Sequence, residues 1–301
     1  MKLAEKPKAA AVSIASNTAL ILLKLIAGVI TGSVSLLAEA IHSVMDLAAA
    51  IVAFISVRIA DRPADAEHHF GHGKAENISG VIEGLLIFVA AGIIINEAVH
   101  RFIEGATLEL IELGIGIMAV SIVVNVIVSR YLLKVSNATD SLALEADARH
   151  LTTDVLTMSG VLIGLVIVRL TGLFVLDPII AILVALLIIK TAYDITKKSF
   201  GGLIDVGLPA AEESAIKSSI MKYDTLVLDY HKLRTRKSGS QRYIDLHVIL
   251  PRNISIEEAH KVCDQLEKDI RAALPRTDVT IHVEPCANDC DQCLVSCDSQ
   301  S

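Results

Sequence analysis

Apolar residues in this chain fall in long blocks. Six blocks reach bilayer length, running roughly from Ala9 to Thr31, Ser35 to Ala60, Asn77 to Arg101, Leu108 to Leu133, Leu142 to Leu170 and Phe174 to Ile195. A helix needs about 20 mostly apolar residues to cross hydrocarbon, so the pattern predicts six transmembrane helices. Beyond Lys198 the pattern shortens and becomes mixed. Ala210 to Tyr223 reads as a helix. Leu226 to Arg236 and Gln241 to Leu250 read as strands, joined through the hairpin signal Lys237-Ser238-Gly239-Ser240. Ser255 to Ala273 has helical spacing and opens on the capping-box pair Ser255 and Glu258. Asp278 to Val283 alternates as a strand. The order α-β-β-α-β predicts an open sheet with helices on one face. The expected domains are residues 1–205 (membrane), 206–286 (soluble α/β) and 287–301, a tail with no core of its own.

The 301 residues are 53% hydrophobic and carry a net charge of −7, which argues against a nucleic-acid footprint. The basic start at Lys2, Lys6 and Lys8 imitates a signal peptide. However, the apolar run continues to Ile30, beyond a usual signal core, and contains Lys24. Lys2, Lys6, Lys8, Arg58, Arg62, Lys74, Arg130, Lys134, Lys197 and Lys198 gather on one side of the six spans, against Arg101 and Arg169 on the other. By the positive-inside rule both termini and the soluble domain are expected in the cytoplasm.

Two spans hold the same polar pair. His42 and Asp46 lie in the second, His150 and Asp154 in the fifth. Spacing i, i+4 puts both side chains on one helix face. Two such faces turned together offer two imidazoles and two carboxylates, a tetrahedral set suited to zinc. Buried polar residues bonded within a bundle are the bland reading. Ionisable groups at membrane depth are expensive, and the repeat argues for a metal site. Glu145, Asp147 and Arg149 precede His150, so either the fifth span starts later or its first turns line a wet cavity. Asn17, Lys24, Glu39 and Asn125 are read as packing contacts or snorkelling groups.

The connection after the second span carries Asp65, His68 and His72, three zinc-capable ligands or else a solvated polar loop, and Gly71 and Gly73 favour a turn there. His231, His247, His260, His282 and Glu284 are scattered over the soluble domain, where adjacent strands can gather them or leave them as surface histidines. Of five cysteines, Cys263 falls on an apolar helix face. Cys286, Cys290, Cys293 and Cys297 form a soft-metal set or a free-thiol tail.

Taken with Leu36 through Asp46, Phe70-Gly71-His72-Gly73-Lys74-Ala75-Glu76, His150 through Asp154, and Leu233-Arg234-Thr235-Arg236-Lys237-Ser238-Gly239, the chain resembles the cation diffusion facilitator family from about Ala9 to Cys286. The resemblance implies six transmembrane helices and a cytoplasmic ferredoxin-like domain that forms a homodimer. It implies a transport site at His42, Asp46, His150 and Asp154. It also implies a loop site at Asp65, His68 and His72, and a soluble-domain site at His231, His247, His260, His282 and Glu284. Lys74 and Asp205 match the family's charge interlock. Some zinc-carrying members have Asp where His42 stands, and His there resembles zinc-preferring members, while Asp-rich sites include manganese and iron carriers. Glu284 replaces an Asp by a longer carboxylate. The cysteine tail is not a family mark.

The expected function is export of a divalent cation from the cytoplasm in exchange for protons, by alternating access in an inner cell membrane. Zinc is the expected substrate and regulator. Metal binding requires neutral His and ionised Asp, so metal and protons compete for one site. The rival is a non-transporting metal sensor or buffer, and iron, manganese, cobalt and cadmium are alternative substrates. No general base beside a substrate cleft is evident, which argues against an enzyme.

Overall fold

The chain divides into two units, Met1–Leu203 and Ile204–Ser301. The computed structural model describes residues 5–31, 34–104, 112–171 and 176–286. The first unit is all helical: α1 (Glu5–Thr31), α2 (Val34–Ala60), α3 (Lys74–Glu104), α4 (Glu112–Thr139), α5 (Leu142–Thr171) and α6 (Leu176–Leu203). Of the six expected spans, four hold stretches both long and apolar enough to cross a membrane among the described residues. These are Glu5–Ala27, Lys74–His100, Ile115–Thr139 and Pro178–Leu203. Helix α5 departs from the simple pattern because Glu145, Asp147, Arg149, His150 and Asp154 crowd its first half. Ile26, Val29, Val89, Ile93, Val123, Ile127 and Leu187 are all exposed, giving the unit an apolar outer surface suited to lipid rather than water.

Helix α5 sits between two packing clusters. Ala143, Leu144, Ala148 and Leu151 pack with Ala9 and Ala10 of α1, Val57 of α2, and Val128, Leu132 and Val135 of α4. On its other flank, Ala146 joins Ile87 and Ala91 of α3 and Ile188, Ala192 and Ile195 of α6. Small residues let α3 and α6 close tightly. A side chain at Gly80 would strike Ser199, and one at Gly84 would strike Thr196. Asn77 Nδ2 donates to Ser199 O at 3.1 Å and Lys74 Nζ to Leu203 O at 3.2 Å, satisfying carbonyls in the last turns of α6. Helix α4 stops at Asp140, whose φ of 56° permits the Ser141 N–H to reach back to Ser136 O at 3.2 Å. That is a Schellman-type stop, and it turns the chain directly into α5.

The second unit runs α7 (Ala210–Ile220), a 3-10 turn (Met221–Tyr223), β1 (Asp229–Ser238), β2 (Gln241–Leu250), α8 (Ile256–Ala273) and β3 (Thr277–Pro285). The sheet order is β1-β2-β3, antiparallel then parallel, and α8 supplies the crossover that a parallel pair requires. Gly239 takes φ 56° at the first position of the two-residue β1–β2 turn, as a type II′ hairpin demands. The Ser255–Glu258 capping box is formed, with both reciprocal bonds at 3.2 Å. Ile244, Leu246, Val248 and Leu250 of β2 pack on Ile216 and Ile220 of α7 and Val262, Leu266 and Ile270 of α8. Both helices therefore cover one face of the sheet and leave the other open, as the order α-β-β-α-β predicts.

Candidate metal centres

On the open sheet face, strand register gathers residues that are distant in sequence. His231 of β1 pairs with His247 of β2, and His247 pairs with His282 of β3. Because the even-numbered residues of β2 fill the core, His247 must point to the open side. Glu284, two residues after His282, shares that side. Its Oε1 lies 2.6 Å from His247 Nδ1 and 3.9 Å from His282 Nε2, while its Oε2 lies 3.2 Å from His231 Nε2. His231, His247 and Glu284 offer ligand atoms within 4.8 Å of one another. The His247 ring donating to Glu284, aided by the charges of His231 and Lys232, holds the carboxyl below its ordinary value.

A bulge fixes this row. Between His231 and Arg234 the register slips by one residue, with Lys232 at φ 52°. His231 and Arg234 consequently share the open face, and Leu233 turns to the core. His260 is not brought to the group. It lies on α8, which packs against the opposite sheet face, and its exposed ring is 3.7 Å from Asp264.

Within the helical unit, Asp46 of α2 meets His150 and Asp154 of α5. His150 Nε2 and Asp46 Oδ1 are 3.2 Å apart, and the three residues offer ligand atoms within 4.8 Å. The His42 and Glu39 side chains lie outside the described residues. Asp46 and Asp154 face a cavity of about 300 Å³ that is also lined by Asn17, Lys24, Ser43 and Thr153. Lys24 Nζ donates to Ser43 Oγ at 2.7 Å, and Asn17 Nδ2 approaches Asp46 O at 3.5 Å. Asn17 and Lys24, read from sequence as packing groups, thus line the ligand-bearing cavity. A set of one imidazole and two carboxylates is already enough to hold a divalent cation with an open position.

The third group is the turn after α2. Asp65 Oδ1 accepts from the backbone N–H of His68 at 2.7 Å and of Glu67 at 3.0 Å. His68 Nδ1 is 3.3 Å from Asp65 Oδ1, and His72 Nε2 is 3.3 Å from Asp65 Oδ2. The His68 N–H holds the Asp65 carboxyl below its ordinary value, aided by the Glu67 N–H and both rings. Gly71, with φ 74°, turns the chain so that His72 returns to Asp65. The spacing therefore works through a turn and not along a helix.

Lys74 belongs to the first unit. Asp205 belongs to the second, where it lies 3.5 Å from Arg236 Nη1. Cys263 and Cys286 are buried, while Cys290, Cys293 and Cys297 lie outside the described residues. Glu83 of α3 went unread in the sequence. It is wholly buried and stands 4.0 Å from His150 Nδ1. An acid inside an otherwise apolar run was the available signal, but it belongs to no His–Asp repeat.

Comparison with known proteins places these centres in a family. Residues 10–204 match the cation efflux transmembrane domain, and residues 208–286 match the cation efflux protein cytoplasmic domain. An uncharacterised transporter of Synechocystis sp. is 38% identical over 276 residues, covering 92% of this chain and 89% of that protein. The cation-efflux pump FieF of Salmonella paratyphi A is 32% identical over 280 residues, covering 93% of each. A solved chain of CzrB in its zinc form is 35% identical, covers 26% of this chain and 90% of its own, and has a TM-score of 0.25. Two adjoining family matches that account for nearly every candidate ligand lead to one conclusion: this chain belongs to the cation diffusion facilitator family of membrane cation-efflux transporters.

Proposed function

We propose that this chain exports zinc from the cytoplasm in exchange for protons, through a site made by Asp46, His150 and Asp154 together with His42. The observation that carries the reading is the meeting of Asp46 with His150 and Asp154 inside the helical unit, on a cavity where a sensor would need no ligands. Imidazole combined with carboxylate suits zinc better than an all-oxygen set. His150 and the two carboxylates bind either protons or metal, so a proton gradient can drive release on the far side. The membrane is a cell membrane with both termini and the second unit in the cytoplasm, as the distribution of Lys and Arg supports.

In this reading residues 1–205 carry the cation and residues 206–286 form a regulatory, dimerising module. The sheet group at His231, His247, His282 and Glu284 binds zinc as a regulator, without His260. Asp65, His68 and His72 take up metal at the loop. Lys74 and Asp205 interlock the homodimer near the membrane surface, and Cys286 with the tail cysteines binds a soft metal separately. The deciding experiment is zinc flux in proteoliposomes with and without a pH gradient, repeated with manganese, iron, cobalt and cadmium. Asp154→Ala should abolish zinc flux in a folded protein. Normal flux in that variant, or flux indifferent to the gradient, defeats the proposal.

A further inference from the structure

A neutral imidazole carries one proton. If His150 gives its Nε2 lone pair to a metal, that proton must sit on Nδ1. His150 Nε2 faces Asp46, on the side of the three-residue group. His150 Nδ1 is buried without a hydrogen-bond partner. The acceptor that faces it is Glu83 Oε2, 4.0 Å away on α3. Both Glu83 oxygens are also buried without partners, and the residue is 0% exposed. An orphaned nitrogen and an orphaned oxygen thus face each other in a place where an unpaired polar group is costly. A closure of about 1 Å makes the contact a hydrogen bond of ordinary length. Packing supports the placement, since α3 and α5 meet through Ile87, Ala91 and Ala146 one turn and two turns from Glu83.

Building on the transport-site reading above, we propose that Glu83 is a positioning residue of that site. Its carboxylate accepts the Nδ1 proton of His150 and so holds Nε2 toward the cation. Glu83 does not bind the metal itself. It fixes the tautomer and the ring angle of the one described imidazole ligand, as acceptors behind metal-binding histidines do.

The test compares zinc flux in proteoliposomes for Glu83→Leu, Glu83→Gln and Asp154→Ala, with the thermal midpoint of each purified protein in chelator. Glu83→Leu should raise the half-saturating zinc concentration about tenfold to a hundredfold. Its midpoint in chelator should equal or exceed that of the parent, because the orphaned acid is gone. Glu83→Gln should keep most of the affinity, because its amide oxygen can accept the same proton. A Leu variant with parental zinc dependence overturns the proposal. So does a Gln variant as weak as Leu, which would mean that charge matters rather than acceptance. A Leu variant that loses both affinity and thermal stability shows a merely structural residue and overturns it too. If Asp154→Ala fails to reduce flux, the transport-site reading itself falls. If Asp154→Ala abolishes flux and Glu83→Leu leaves it untouched, only the positioning role falls.

Discussion

Replacing Lys6 by Met should destabilise the helical unit by about 3–5 kcal/mol, the range for stranding one partner of a buried ion pair. Lys6 of α1 is 1% exposed and Glu76 of α3 is 0% exposed. Their atoms lie 2.8 Å apart, and Asp61 Oδ1 lies 3.3 Å from the same Nζ. At an effective dielectric constant of about 20 the closer pair attracts by about 6 kcal/mol before desolvation is counted. Desolvation offsets most of that, so the intact pair contributes little net stability. The loss appears when one charge is removed and Glu76 stays behind, buried beside a second oxygen that already lacks a partner. Asp61, 24% exposed, keeps contact with water and loses less. The double variant Lys6→Met with Glu76→Leu removes both charges and should recover most of the loss. Equilibrium unfolding of the purified protein in detergent, run as a double-mutant cycle, measures the coupling. A loss below about 1 kcal/mol in the single variant refutes the reasoning, because water would then be reaching the pair. A double variant as unstable as the sum of the two singles refutes it as well.

Glu284→Gln should lower the thermal midpoint of the second unit near neutral pH in chelator. A carboxyl held below its ordinary value stabilises the fold above the unfolded pKa, and that contribution is lost as pH falls through the folded value. The gap between variant and parent should therefore close below about pH 4, and a gap that widens in acid contradicts the assignment. His42→Asp should shift competition flux from zinc toward manganese, since an added carboxylate oxygen suits the harder ion; an unchanged preference places selectivity elsewhere. Truncation after Pro285 should lower the reduced second unit's zinc stoichiometry while full-length protein cut at the same point retains basal flux. Unchanged stoichiometry removes the tail as a metal site, and loss of flux shows that the tail is not an accessory.

Local pattern determined much of this protein. Long apolar blocks announce membrane helices because the hydrocarbon demands length and apolarity from each segment separately. The pairing of His150 with Asp154 on one face follows from helical spacing alone, and the capping box at Ser255 and the turn at Gly239 follow from chemistry within a few residues. What was not legible depends on neighbours. His231, His247 and His282 became one row only through strand register, and the bulge at Lys232 decided which β1 residues face outward. His260 has the same chemistry, but α8 turns its apolar stripe to the sheet's other face and carries that ring away from the row. Glu83 stands beside His150 because α3 packs against α5 through Ile87, Ala91 and Ala146, a contact that no periodicity within either helix encodes. Sequence period sets the direction of a side chain relative to its own element. Which elements face each other is decided by long-range packing, and there the candidate ligand groups were completed.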